Sequence, residues 1–388
     1  MPRLCLSLVC IACCFALACQ DASPVVEEEP PVIIELLDEG FRYDGDMEIG
    51  ALDLATPEDL GGQPEMRSVD LEDMSSGEGE EMAPEARFAP CSKSLSGFLE
   101  RVDAEHPGRG EDTFVSPMAS RTEALSSSLA AASSGRGDAV SRSAAFAADA
   151  GYEVCSVQDD GGELLIWAAM DSSSGDALIA MRLGGATEMI LEHPHPFFDG
   201  TFAQALPVFE MTRARAMILS GHHRCSSDQA SSCDGRTSVC GESSASYPVS
   251  DPAHHDEGTF QVAHEVLAER FSQAAVISMH GTAQAVSYTS NGTRRSDGDD
   301  PVLDVLVSAL EEVFPEIEHR SCDAYDARLS GVWLCGTTNV QGRALRGSPN
   351  ACTEDGVGSS GRFFHLEQSR AMRDRPADIA AALLRVFE

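Results

Sequence analysis

Cations are scarce in this chain: its 388 residues hold 27 Lys and Arg against 63 Asp and Glu, a formal net charge of -36. Phosphate backbones are bound by clustered cations, so the balance argues against nucleic acid as a partner, and an anionic lipid surface is disfavoured on the same ground. Also missing is any G-x-S-x-G segment, the turn that presents a serine nucleophile in one large class of hydrolases. A G-x-G-x-x-G match exists at Gly356-Val357-Gly358-Ser359-Ser360-Gly361, but it precedes a strand-like run, where a dinucleotide site needs it ahead of a helix. From Cys91 onward there are eight cysteines and no C-x-x-C among them, which argues against a zinc-thiolate cluster. The N-terminal apolar run, Leu4 to Ala18, is shorter than the ~20 residues that a mature membrane span needs.

That run has another use. With Arg3 before it, it suits the apolar region of a secretory signal. The segment Ala16-Leu17-Ala18-Cys19 resembles the cleavage end of a bacterial lipoprotein signal, in which Cys19 becomes the lipidated N-terminus. The resemblance implies a signal peptide over residues 1–18, export, and attachment to the cell envelope (the outer membrane or its periplasmic face) through acyl chains alone. An ordinary cleaved signal with an incidental cysteine is the alternative. The eight later cysteines agree with export: an even number suggests up to four disulfides, and their 105 pairings leave the connectivity open. Cys322–Cys335, or two of Cys225, Cys233 and Cys240, are the short-range candidates.

Half of the charge sits in a tail. Between Asp21 and Arg87 stand 21 acidic residues and three basic ones, with runs such as Glu27-Glu28-Glu29-Pro30-Pro31 and Ser75-Ser76-Gly77-Glu78-Gly79-Glu80-Glu81. A stretch so poor in apolar residues buries too little surface to offset the entropy of ordering, so residues 19–90 are expected to be a disordered acidic linker. Residues 91–388 remain for one large domain.

Short apolar runs alternate there with helical spacing. Leu164 to Ala168, Ala177 to Leu183, Glu188 to Leu191, Ala216 to Leu219, Ala275 to Met279, Val332 to Leu334 and Phe363 to Leu366 read as strands. Phe202 to Met211, Phe260 to Phe271, Val302 to Phe314 and Ile379 to Phe387 read as helices, and the Ala- and Ser-rich stretches Glu123 to Ala132 and Ala139 to Ala150 suggest two more. The expected class is α/β, a single domain with a mainly parallel or mixed central sheet flanked by helices. In such sheets chemistry lies off the carboxyl ends of the strands.

Polar clusters stand at those ends. They are Glu192-His193-Pro194-His195-Pro196-Phe197-Phe198-Asp199, then Ser220-Gly221-His222-His223-Arg224, then Ser250-Asp251-Pro252-Ala253-His254-His255-Asp256, then Met279-His280-Gly281-Thr282, and lastly Phe364-His365-Leu366-Glu367-Gln368-Ser369-Arg370. Ten of the chain's 11 histidines lie between residues 193 and 365. Imidazole nitrogen and carboxylate oxygen are the usual non-thiolate ligands of zinc.

The order His195, Asp199, His280, Glu367 resembles the order of metal ligands and catalytic acid in the superfamily of zinc carboxypeptidases and N-formylglutamate amidohydrolases. The C-terminal stretch from Gly342-Arg343-Ala344-Leu345-Arg346-Gly347 to Glu367 and Arg370 is similar to the ending of the latter, and Ser220 to Arg224 to its strand-end arginine. The likeness covers roughly Met189 to the C-terminus. The carboxypeptidases space their first two ligands as His-x-x-Glu, whereas three residues separate His195 from Asp199 here, and His193 competes with His195 as first ligand.

The resemblance implies one zinc held by His195, Asp199 and His280, a zinc-bound water as nucleophile, Glu367 as general base, and Arg224 and Arg343 as forks for a substrate carboxylate or an oxyanion. The ligand set suits manganese or iron as well. The implied reaction is hydrolysis of an amide bond in a small molecule or peptide that bears a carboxylate: an N-acyl amino acid, a peptide or a cell-wall peptide. The competing reading is a non-catalytic surface lipoprotein that binds a ligand, a metal or a protein partner.

Overall fold

The computed structural model describes residues 87–134, 138–159, 162–241, 244–293, 300–322 and 334–388. The expected signal peptide, Cys19 and nearly all of the acidic segment lie outside them.

Nine strands form one sheet among the described residues: β1 (Tyr152–Asp159), β2 (Gly162–Ala169), β3 (Leu178–Arg182), β4 (Thr187–His193), β5 (Ala214–Leu219), β6 (Ala275–Gly281), β7 (Ser287–Ser290), β8 (His319–Ser321) and β9 (Phe363–Gln368). Their spatial order is β1-β2-β3-β5-β4-β6-β9-β7-β8. The central strands β5, β4, β6 and β9 run parallel. On one side β3, β2 and β1 continue the sheet antiparallel. On the other, β7 lies antiparallel to β9 and β8 parallel to β7. The sheet is thus mixed, with a parallel centre.

The helices are α1 (Leu95–Glu105), α2 (Ala119–Ser133), α3 (Ala139–Asp149), α4 (Pro196–Asp199), α5 (Phe202–Thr212), α6 (Thr259–Arg270), α7 (Pro301–Val313), α8 (Val340–Leu345), α9 (Arg370–Arg373) and α10 (Pro376–Phe387). They cover both faces of the sheet, which is why the central strands read as unbroken apolar runs. Met189 and Leu191 of β4 pack in one cluster with Phe209 of α5, Leu306 of α7 and Leu383 of α10. Ile190, between them in sequence, packs on the opposite face with Leu125 of α2 and Leu267 of α6. All of these side chains are buried, each worth roughly 1.5–3 kcal/mol. Helix ends follow local chemistry: Asp300 accepts the Leu303 N–H at 3.3 Å, Pro301 occupies the first turn of α7, and the helix stops at Phe314 ahead of Pro315.

Three strands escape the apolar-run criterion. In β1 only Tyr152 and Cys155 are buried, and in β7 the buried residues include Ser287, Thr289 and Ser290. The three-residue β8 has no buried residue. Of the expected strand Val332 to Leu334, Val332 and Trp333 lie outside the described residues and Leu334 is irregular. The expected linker boundary also moves. Phe88 is buried, Pro90 forms a bridge with Ser156, and Cys91 is bonded to Cys155, so the domain takes in residues ahead of Cys91.

The other disulfides are Cys225–Cys240, Cys233–Cys352 and Cys322–Cys335. Two are short-range, as spacing suggested. Cys233–Cys352 spans 119 residues and joins the long segment after β5 to the segment after α8, a pairing that spacing does not single out.

Candidate metal centre

The polar clusters meet at the carboxyl ends of β4, β5, β6 and β9. One backbone turn makes the first contact: Asp199 N–H donates to His195 C=O at 2.8 Å, which closes α4 and brings the two side chains to one side. His195 Nδ1 then lies 3.4 Å from Asp199 Oδ2. Gly200, with φ of 67°, turns the chain away immediately afterwards. The turn sits directly on the end of β6, because Gly281 has no side chain: a Cβ there would stand 2.2 Å from the Asp199 carbonyl oxygen. The preceding residue, His280, consequently reaches Asp199 Oδ2 with its Nδ1 at 3.2 Å. One donor atom from each of His195, Asp199 and His280 falls within 4.8 Å of the others, and all three residues are buried.

Each imidazole is held by its other nitrogen. His195 Nε2 donates to Asp251 Oδ1 at 2.7 Å, and Asp251 is fully buried. A carboxylate at Nε2 leaves the lone pair on Nδ1, and that buried Nδ1 has no hydrogen-bond partner. His280 Nε2 faces Ser278 Oγ at 3.0 Å. An orphaned imidazole nitrogen, a second imidazole and a carboxylate oxygen that converge in a buried position fit a divalent ion of the zinc type.

Asp251 is the hub of the polar shell. Its Oδ1 also accepts from His254 Nδ1 at 3.0 Å, and its Oδ2 binds Arg224 Nη2. Burial works to raise the Asp251 carboxyl, but Arg224, His195 and His254 hold it well below the usual carboxylate range. Asp199 is likewise depressed: burial opposes ionisation, and His195 and His280 overcome it. Glu367 behaves in the opposite way. Burial and then the neighbouring Asp199 charge push its carboxyl well above the ordinary glutamate value, against Arg224 and Arg373. Its backbone is paired with His280 across β6 and β9, which delivers it to the same spot.

These groups open on a cleft of about 290 Å³ lined by His195, Arg224, Tyr247, His254, His280, Asn339, His365 and Glu367, with the segment Leu334 to Thr338 along one side. A larger groove of about 770 Å³, among Leu95, Arg182, Phe209 and Met211, lies elsewhere. Its buried cation Arg182 is already paired with Asp159 at 3.0 Å, and it gathers no cluster of titratable groups like that of the cleft.

His193 stands apart from the cluster. It follows Met189 and Leu191 by alternation on the α5 side of β4, both its ring nitrogens are buried without a hydrogen-bond partner, and burial lowers its pKa to about 3. Glu192 points to the α6 side, where its Oε1 accepts from His264 Nδ1 at 2.6 Å. His195 is the imidazole that joins Asp199 and His280.

Arg224 lines the cleft with its guanidinium over the Phe198 ring, 5.3 Å from the centroid, and its Nε is unpartnered. The expected placing of Arg343 beside it needs correction. Arg343 Nη1 binds Asp234 Oδ1 at 2.5 Å, and its Nε donates to the Thr337 carbonyl at 3.0 Å. Its side chain is satisfied inside the protein, where it holds the cleft-side segment to the loop of Asp234. Asn339, which sequence reading passed over, caps α8 through Oδ1 at 2.9 Å from Gly342 N and has an unpartnered amide nitrogen. Asp251 was visible only as one acid within a His-rich cluster.

No protein-family model matches the chain, and no curated protein does. Solved structures give slight likenesses. A zinc-free structure called YNDL-apo is 14% identical, with a TM-score of 0.30 over 54% of this chain and 89% of that one. A metallo-carboxypeptidase from Pseudomonas aeruginosa, in complex with (2-guanidinoethylmercapto)succinic acid, is 11% identical, with a TM-score of 0.29 over 61% of this chain and 64% of its own. Likeness of this degree carries no argument about activity, so what the site does rests on its own geometry.

Proposed function

We propose that this chain is a metal-dependent hydrolase that cleaves an amide bond in a substrate bearing a carboxylate: an N-acyl amino acid, a peptide or a cell-wall peptide. One observation carries the reading. His195 Nδ1, Asp199 Oδ2 and His280 converge while His195 Nε2 is already taken by Asp251 at 2.7 Å. Three such ligands are what a catalytic zinc uses when one position is kept for water, and manganese or iron suit them too. When bound, the ion acidifies water and polarises a carbonyl.

The remaining steps belong to side chains of the cleft. Glu367 accepts the proton of the attacking water and returns it to the leaving nitrogen. Its carboxyl, raised by burial and by Asp199, is a better proton acceptor than an ordinary glutamate. Arg224 lines the cleft, is anchored by Asp251 through Nη2 and has a buried Nε without a partner, so its guanidinium is suited to the substrate carboxylate or to the developing oxyanion. Asn339 offers a neutral donor in the same cleft. Arg343, bound to Asp234, supports the cleft wall.

Purified protein should retain about one zinc per chain by elemental analysis after extensive dialysis. Glu367→Gln should keep that zinc while turnover of N-acyl amino acids or muropeptides falls by about 10²- to 10⁴-fold. Failure to retain metal, or full activity in Glu367→Gln, overturns the reading. Metal retention without turnover of any amide substrate favours the binding lipoprotein instead.

Export and lipid attachment through Cys19 belong to the same proposal. They are supported by the signal-like first nineteen residues and by four disulfides, bonds that persist in oxidising compartments. Fatty-acid labelling should mark the wild type and not Cys19→Ser; an unlabelled wild type rejects the anchor.

A further inference from the structure

A second group of ligand-type side chains stands beside the first and shares His280 and Glu367 with the chemistry above; its third member, His365, has no part in that chemistry. His365 precedes Glu367 by two positions on β9, so strand alternation places both on one face. His365 Nε2 lies 3.7 Å from Glu367 Oε1, too far for a hydrogen bond. Zinc bonds of about 2.0–2.2 Å to nitrogen and oxygen in tetrahedral array separate two ligand atoms by roughly 3.3–3.5 Å, so a small adjustment would bridge the pair. One donor atom each from His280, His365 and Glu367 already falls within 4.8 Å of the others.

His365 is also prepared for a ligand. It is 3% exposed, and its Nδ1 has no hydrogen-bond partner. Its ring lies against the His280 ring, with 4.4 Å between centroids. On another side it meets the backbone of Gly336, where a Cβ would come within 2.7 Å of the ring. An imidazole packed so closely, with nitrogens free of hydrogen bonds, presents a lone pair without first breaking a contact.

We propose that His365 and Glu367, flanked by His280, form a second and weaker cation site whose occupation inhibits the enzyme. This rests on the metal-hydrolase reading of the neighbouring cluster. The weakness follows from His280. Its Nδ1 faces Asp199 and its Nε2 faces Ser278, and a neutral imidazole has a single lone pair, which the first ion takes. The second ion therefore has two firm protein ligands and completes its coordination with water. Inhibition follows from Glu367: a carboxylate oxygen bound to a cation no longer accepts a proton. The mixed nitrogen and oxygen donors select zinc and similar transition ions over magnesium or calcium, which prefer oxygen alone.

Equilibrium dialysis against increasing zinc, followed by zinc-edge anomalous diffraction from crystals soaked in excess zinc, tests the site. One zinc should bind tightly at His195, Asp199 and His280, and a second at higher concentration at His365 and Glu367. Activity should fall as the second binds, and magnesium should leave it unchanged. His365→Gln should keep the first zinc and shift the second binding and the inhibition, read against its own activity at one equivalent, by tenfold or more. A wild type that binds one zinc and shows no second peak overturns this site and leaves the hydrolase reading standing. So does His365→Gln with unaltered zinc inhibition. A wild type that binds no zinc overturns both.

Discussion

His195 and Asp251, 56 residues apart, are joined at 2.7 Å from Nε2 to a carboxylate oxygen, and this one bond decides which nitrogen of His195 is free to bind a metal. Asp251 also holds Arg224 and His254, so a single buried carboxylate sets the tautomer of one side chain and the position of two others.

Asp251→Asn should therefore act at a distance from the reacting atoms. The amide accepts less strongly from His195 and leaves a buried guanidinium without its counter-charge. Metal affinity, measured by competition with a coloured chelator, should fall by about 10- to 100-fold. Removing one partner of a buried ion pair costs roughly 3–5 kcal/mol, so the melting temperature should drop as well. Unchanged metal affinity would show that the bond to Asp251 does not govern His195.

Gly281→Ala should displace the Asp199 turn. The added Cβ would lie 2.2 Å from the Asp199 carbonyl oxygen, a backbone atom that cannot rotate away. Overpacking of this kind costs about 1–3 kcal/mol, and here the strain falls on a metal ligand. The variant should fold, melt at lower temperature and retain less zinc after dialysis. Wild-type zinc retention would mean that α4 tolerates a shift.

The Cys233–Cys352 bond closes a loop of 119 residues that contains Asp251, Glu192's partner His264, and β6. Loops of this length lose about 4.7 kcal/mol of unfolded-state entropy when cross-linked. The double variant Cys233→Ser/Cys352→Ser should lose about 2–5 kcal/mol in denaturant unfolding. Cys322–Cys335, which closes a loop of only 13 residues, should matter less. Equal losses from the two pairs would contradict the dependence on loop length.

His222 predicts a pH effect outside the metal ligands. Burial lowers its pKa from about 6.5 to about 4, with only partial compensation from the Gly175 carbonyl that accepts from its Nδ1 at 2.5 Å. A depressed histidine favours the folded state in its neutral form, so its contribution is complete above pH 6.5. It is lost as pH falls towards 4, at about 1.4 kcal/mol per unit. His222→Gln should flatten that part of the stability profile measured by denaturant midpoints. An unaltered slope between pH 6.5 and 4 would assign the acid sensitivity to other groups.

Much of the architecture is legible along the chain because it depends on local periodicity. β4, β5, β6 and β9 are apolar on both faces and end in His193, Leu219, Gly281 and Gln368, so their polar neighbours mark the end of the sheet where chemistry gathers. β1 and β7 were hidden for the same reason: they are half polar, and what stabilises them is pairing with β2 and β9.

The order His195, Asp199, His280, Glu367 can be read from residue types at strand ends, and so can the spacing that closes a helical turn between the first two. Distances between those positions cannot. The choice of His195 over His193 depends on which face of β4 meets α5. The capture of Arg343 by Asp234 depends on a disulfide that spans 119 residues. Asp251 owes its place to a long irregular segment between β5 and α6, where no periodic pattern constrains the backbone and only closure against the sheet brings its carboxylate to a histidine 56 residues away. Periodicity acts over a few residues, whereas a coordination sphere is made by chain segments that meet only after the core has formed.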